Sequence, residues 1–115
     1  MTKYHSKPIE IDGHKFASLK EGKRYTELKL LERSGAIQGL KLHPVYVLAP
    51  SVVIQGRKKP ELRYVADFEY TKTSPPDSPW GFLKTVEDVK GILTPVYRIK
   101  RHLMKSVHGI DILET

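Results

Sequence analysis

Two strand-like stretches held apart by prolines constrain this chain most. Residues 61–70, ELRYVADFEY, and 82–90, FLKTVEDVK, carry the two strongest strand patterns. Between them TKTSPPDSPWG, residues 71–81, holds three prolines and must be a loop. A helix pattern lies on either side. Ser18 is a good N-cap with Glu21 three residues later, a capping box. Tyr25, Leu28 and Leu31 then recur at helical spacing, with Leu30 beside them, and Gly35 ends the run. The second helix starts at Thr94-Pro95, carries Val96, Ile99, Leu103 and Val107 on one side, and stops at Gly109. Ahead of the first helix, KPIEIDGHKF at 7–16 reads as a hairpin turning at Asp12-Gly13. LKLHPVYVLAPSVVI at 40–54 reads as one or two strands broken by Pro44 and Pro50, QGRKKPE at 55–61 as a basic turn, and IDILE at 110–114 as a last short strand. The order hairpin-αβββαβ predicts an α/β fold: one domain, residues 1–115, with a central mixed sheet flanked by two helices.

Charge narrows the partners. Twenty Lys and Arg against thirteen Asp and Glu leave a net charge of +7, which favours a polyanion, nucleic acid first. A hydrophobic fraction of 39% is too high for a disordered basic tail. With no cysteine there is no disulfide, thiolate zinc site or Cys nucleophile. The histidines at 5, 14, 43, 102 and 108 show no compact ligand spacing, which argues against zinc. No apolar run approaches the roughly 18 residues of a membrane span. The N-terminal MTKYHSKPIEIDG lacks the apolar middle of a signal peptide. The expected setting is cytoplasmic, with no membrane partner.

The two strong strands each carry acids. Strand alternation puts Asp67 on a face with Val65 and Glu69, and puts Asp88 with Val86 and Lys90 while Glu87 points away. Asp88 and Lys90 then project together, about 7 Å apart along the strand. Antiparallel pairing around the loop would bring Asp67 beside Asp88. Two carboxylates that close resist ionisation unless a cation lies between them, and oxygen ligands suit Mg²⁺ or Mn²⁺. A lysine there can orient a water or neutralise charge on a phosphate. The same spacing also allows a strand-end acid paired with an Arg, and an ordinary surface ion pair.

YVADFEY and TVEDVKG, with SLKEGKRYTELKLLERSG upstream, resemble the PD-(D/E)XK nuclease superfamily. They look most like a small phage-encoded family within it, one carried as a domain of unknown function. The resemblance runs over nearly the whole chain and implies a restriction-endonuclease-like core. It makes Asp67 the first motif acid, Asp88 the (D/E) acid, Lys90 the motif lysine and Glu21 the acid of the first helix. It implies that Glu21, Asp67 and Asp88 arrange one or two divalent ions, with the carbonyl of Val89 as a further ligand, while Lys90 activates the attacking water. Ala66 stands where the nominal motif has proline, and the 71–81 loop is longer than a tight hairpin needs. Glu21 also has a purely structural role open to it in the capping box.

The densest basic runs are RKKPELR, 57–63, and RIKRHLMK, 98–105. Arg57, Lys58, Lys59, Arg98, Lys100 and Arg101 are the candidate DNA contacts, the alternative being a solvated face. Tyr97 and Trp80 could stack on unpaired bases or simply pack. The expected activity is metal-dependent DNA endonuclease, with branched DNA, as for Holliday-junction resolvases, the first substrate. The expected assembly is a homodimer in phage recombination, replication or packaging, with a phage partner protein there. The rival is a non-catalytic nucleic-acid-binding accessory protein with a nuclease fold; a third reading is an RNA nuclease.

Overall fold

A computed structural model describes residues 7–73, 83–90 and 93–115. Most of the proline-rich loop, with Trp80, and Phe82 at the start of the expected strand 82–90 lie outside the described residues, as does Gly91 after it. The fold is mixed α/β, with two helices and several small mixed and antiparallel sheets. The chain divides into two compact units, residues 1–40 with 71–83, and residues 41–70 with 84–115.

In the first unit, β1 (Ile9–Ile11) pairs antiparallel with β2 (His14–Phe16). Asp12 and Gly13 turn the chain at φ 53° and 79°, both positive as a type I′ turn requires. Helix α1 (Leu19–Ser34) starts where expected: the Ser18 hydroxyl accepts the Glu21 backbone N–H, and Gly35 closes the helix at φ 85°. The helix packs on β1 and β2. Its contact row is Glu21, Gly22, Tyr25 and Leu28, all buried, with the Tyr25 ring centroid 4.9 Å from that of Phe16. Leu30 and Leu31 stay exposed, so the expected apolar row is only half used. Gly22 lets the helix approach β1 closely: a Cβ there would lie 2.3 Å from Ile9 Cδ1, so the end of the Ile9 side chain would have to shift.

The stretch after α1 holds three strands where one or two were expected: β3 (Ile37–Leu42), β4 (Val45–Ala49) and β5 (Val52–Ile54). His43-Pro44 and Pro50-Ser51 make the breaks, since proline cannot donate to a ladder. The expected basic turn is partly strand: Arg57–Lys59 form β6, antiparallel to β5. The expected strand 61–70 is two strands, β7 (Leu62–Val65) and β8 (Phe68–Lys72). β7 pairs with β4, Val45 opposite Val65 and Tyr46 opposite Tyr64. β8 enters a four-stranded sheet in the order β10-β9-β8-β3, with β9 at Leu83–Asp88 and β10 at Leu113–Glu114. β9 and β10 are parallel, Leu113 opposite Glu87 and Glu114 opposite Asp88.

Helix α2 (Pro95–His108) begins as its sequence dictates, with the Thr94 hydroxyl accepting the Tyr97 N–H, and ends at Gly109, φ 69°. Its buried residues are Tyr97 and Met104. They join Tyr46, Leu48, Tyr64, Ala66 and Val86 in the core of the second unit. Val96, Ile99 and Val107 are 61%, 61% and 52% exposed. Leu103 of the expected stripe packs against this core, but the buried places go to Tyr97 and Met104, so the helix is turned from the orientation its aliphatic stripe would choose. Among the described residues no helix is long and apolar enough to cross a membrane.

Glu69 on β8 is nearly buried, yet its carboxylate faces donors: the Tyr46 hydroxyl, Lys84 Nζ at 3.1 Å and Lys41 Nζ at 3.5 Å. Burial pushes its carboxyl up, but these donors and cations outweigh burial and hold it below its ordinary 4.5. A carboxyl depressed by folding stabilises above its unfolded value and loses that contribution as pH falls through the folded value. Urea unfolding across acid pH should show wild-type stability falling below about pH 4.5, with Glu69→Gln markedly flatter there. Parallel curves would remove Glu69 from the acid transition.

Candidate metal centre

Asp67 sits where the chain passes from one ladder to another. Ala66 donates its N–H to the Pro44 carbonyl (3.1 Å), and Asp67 accepts the His43 N–H on its own carbonyl (3.0 Å). The break at Pro44 thus lies opposite the break at Ala66-Asp67. Face alternation does not carry through such a bend: Val65 is 52% exposed and Glu69 8%. The shared face expected for Val65, Asp67 and Glu69 is therefore corrected. The bend leaves Asp67 half-buried, with its carboxylate Oδ2 accepting the Val89 N–H at 2.7 Å.

Val89 follows directly on the buried Asp88 at the end of β9. Asp88 Oδ2 lies 2.8 Å from Lys90 Nζ and also accepts the Tyr64 hydroxyl. The ammonium of Lys90 in turn sits 3.8 Å from the centroid of the Tyr97 ring, a cation–π contact. Glu87 points elsewhere, to the Tyr70 hydroxyl at 2.7 Å and the Thr115 hydroxyl at 3.2 Å. Two backbone bonds extend the parallel pairing past β9: Thr115 N–H to Asp88 C=O and Lys90 N–H to Thr115 C=O, each 3.0 Å. Both side chains thus project from a pinned backbone. Burial first, then the bond to Asp88 and its charge, raise the Tyr64 hydroxyl far above its usual value, so it remains a donor at neutral pH.

His43 was not among the expected site residues, because its ring meets Asp67 only through the β3–β4 connection. Its φ of 51° is left-handed, a conformation uncommon outside glycine and enriched at functional sites. Its ring nitrogen and an Asp67 carboxylate oxygen lie within 4.8 Å of each other. Ligands of one ion each sit about 2.0–2.2 Å from it, so a carboxylate and an imidazole this close could both hold a metal ion. The one sequence signal was a histidine ahead of a strand-breaking proline. Glu21 belongs to the first unit, 6% exposed in the first turn of α1.

The basic residues are placed in two groups. Arg57, Lys58 and Lys59 are exposed along β6. On α2, Arg98 is exposed while Lys100 and Arg101 are half-buried, and Arg101 NH1 pairs with the Glu114 carboxylate at 3.1 Å. Tyr97 is 6% exposed and packs against Tyr64, centroids 6.3 Å apart, so base stacking is not its role.

A family model described as "Protein of unknown function (DUF1064)" matches residues 1–110. No curated protein and no solved structure matches this chain.

Proposed function

The chain belongs to the DUF1064 family, and for it we propose a divalent-metal-dependent DNA endonuclease of the PD-(D/E)XK kind. One observation carries this reading: the Val89 N–H binds the Asp67 carboxylate, bringing that acid to the strand end that holds Asp88 and Lys90. It sets one acid beside a strand end that carries a second acid and a lysine, the combination that phosphodiester hydrolysis uses. His43 and Asp67 would hold the ion, with Glu21, Asp88 and the Val89 carbonyl as the further ligands that the resemblance implies. Carboxylates suit Mg²⁺ and Mn²⁺, and an imidazole shifts the preference toward Mn²⁺. A bound ion would polarise the phosphoryl oxygens and make a water acidic enough to attack.

The chain's own groups do the rest. Lys90 is held by Asp88 and the Tyr97 ring, so its charge is fixed in place to orient a water or balance a phosphate. Tyr64 fixes Asp88 in turn. Arg57, Lys58, Lys59, Arg98 and Lys100 would neutralise neighbouring phosphates; Arg101 would have to exchange Glu114 for one. We extend the proposal to a homodimer acting on branched DNA in phage or prophage recombination, replication or packaging, in the host cytoplasm. The rival, an accessory DNA-binding protein, gains from one fact: Lys90 and Tyr64 already compensate Asp88 without a metal.

Purified protein incubated with supercoiled and four-way-junction DNA decides between them. Nicking with Mn²⁺ or Mg²⁺ that disappears in EDTA supports the nuclease. DNA binding without nicking in either metal sinks it and leaves the accessory reading. Preferential cutting of an RNA competitor would reassign the substrate.

A further inference from the structure

Residues 45–65 build one long ribbon. β4 pairs with β7 at its base, β5 with β6 at its tip, and the offset of Ala49 opposite Leu62 is the offset of Val52 opposite Lys59. After a register shift between Val47 and Ala49, the register is continuous from Ala49 to the tip, with Pro50 and Pro60 in the gap between the two ladders. The base buries one face under α2 through Tyr46, Leu48 and Tyr64. The tip buries nothing: all of Val52–Ile54 and Arg57–Lys59 is exposed, Val53 to 70%. Among the described residues β5 and β6 pack chiefly on each other. Gln55 and Gly56 close the tip at φ 51° and 76°, a type I′ geometry that keeps the ribbon tight.

The side chains of the tip have an unusual arrangement. Each aliphatic residue faces a cation across the strands: Val52 with Lys59, Val53 with Lys58, Ile54 with Arg57. No acid occurs in residues 50–60. The three cations, with no acid in the same stretch of chain, complement a polyanion, and the three exposed aliphatic residues set apolar surface beside them. A two-stranded ribbon, its strands about 4.8 Å apart, fits a major groove about 12 Å wide.

We propose that the 52–59 ribbon tip is an arm that enters a groove of duplex DNA, with Arg57, Lys58 and Lys59 on the phosphates and Val52 and Ile54, which share one face of the ribbon, against the base edges. The identity of the ligand rests on the DNA reading above. The arm itself is independent of the metal centre. It would add a non-ionic, shape-reading component to binding that phosphate neutralisation alone does not give.

The test is fluorescence anisotropy with a labelled duplex of about 30 base pairs in EDTA, across a salt series. Removing three phosphate contacts with Arg57→Ala, Lys58→Ala and Lys59→Ala together should reduce the slope of log affinity against log salt by about 2–3. Val52→Ser with Ile54→Ser should weaken binding about tenfold and leave that slope unchanged, because no counterion is released by an apolar contact. Circular dichroism should be unchanged for both, the substituted residues being exposed; Lys58→Glu alone serves if the triple variant folds poorly. Wild-type slope and affinity in the folded variants would overturn the arm. So would tighter binding of wild type to anionic phospholipid vesicles than to duplex, which would make the tip a membrane contact. EDTA prevents cleavage, so the two readings fail separately. Loss of the arm effect in a protein that still nicks DNA rejects only the arm. Absence of nicking with the arm effect intact rejects only the nuclease.

Discussion

Asp67→Asn is expected to abolish metal-dependent nicking and leave the fold and DNA binding in place. The substitution is nearly isosteric, and its amide oxygen can still accept the Val89 N–H that holds the bend. What it removes is the charge that balances a cation beside His43. The loss of rate should be on the order of 10³-fold, the scale on which one preorganised charged group acts. A second readout does not depend on turnover. A ligand that binds only the folded state stabilises it by about 2.7 kcal/mol when present at about 100 times its dissociation constant. Mn²⁺ should therefore raise the melting temperature of wild type and not of Asp67→Asn. His43→Ala should reduce the Mn²⁺ shift more than the Mg²⁺ shift, since imidazole discriminates between them. A folded Asp67→Asn protein that still nicks DNA, or a melting shift that survives the substitution, would remove Asp67 from the metal site.

Local signals in this sequence translated well; partner-dependent ones did not. Ser18, Thr94 and Pro95 start a helix, and Gly35 and Gly109 end one, each acting within one turn of chain. Asp12-Gly13 likewise turns its hairpin by its own φ preferences. ELRYVADFEY was misread as a single strand because nothing in its composition marks the change of partner. The break at Ala66-Asp67 is set by Pro44 across the ladder, more than twenty residues away. The same holds for α2: its aliphatic stripe is the stronger pattern, but only Leu103 of that stripe packs on the core, where Tyr97 and Met104 are buried with Tyr46 and Tyr64. Of the candidate site, Asp88 and Lys90 were legible by alternation along one strand. His43 was not, because its nearness to Asp67 arises from two breaks in two strands.

The second large effect concerns the pair that anchors the site, and it is asymmetric. Asp88 has the more buried side chain, 6% exposed against 23% for Lys90. Lys90→Met keeps most of the side chain's bulk over the Tyr97 ring but leaves a buried carboxylate supported by the Tyr64 hydroxyl without its cation. Removing one partner of a buried pair costs about 3–5 kcal/mol. Lys90 is partly wet, so about 2 kcal/mol is the expected loss in urea unfolding. Asp88→Asn should cost less, about 1 kcal/mol, because the Lys90 ammonium can turn to water and Tyr64 can still donate to the amide oxygen. The double variant should be more stable than Lys90→Met alone, since no uncompensated charge remains, giving a coupling of about 1–2 kcal/mol. Cleavage should follow the opposite logic. Lys90→Met alone should abolish nicking although it keeps the Asp88 carboxylate. The double variant, which also lacks that carboxylate, stays as inactive while folding better than Lys90→Met. Strict additivity in stability would show that the ion pair does not support the fold; nicking by a folded Lys90→Met protein would remove Lys90 from the chemistry.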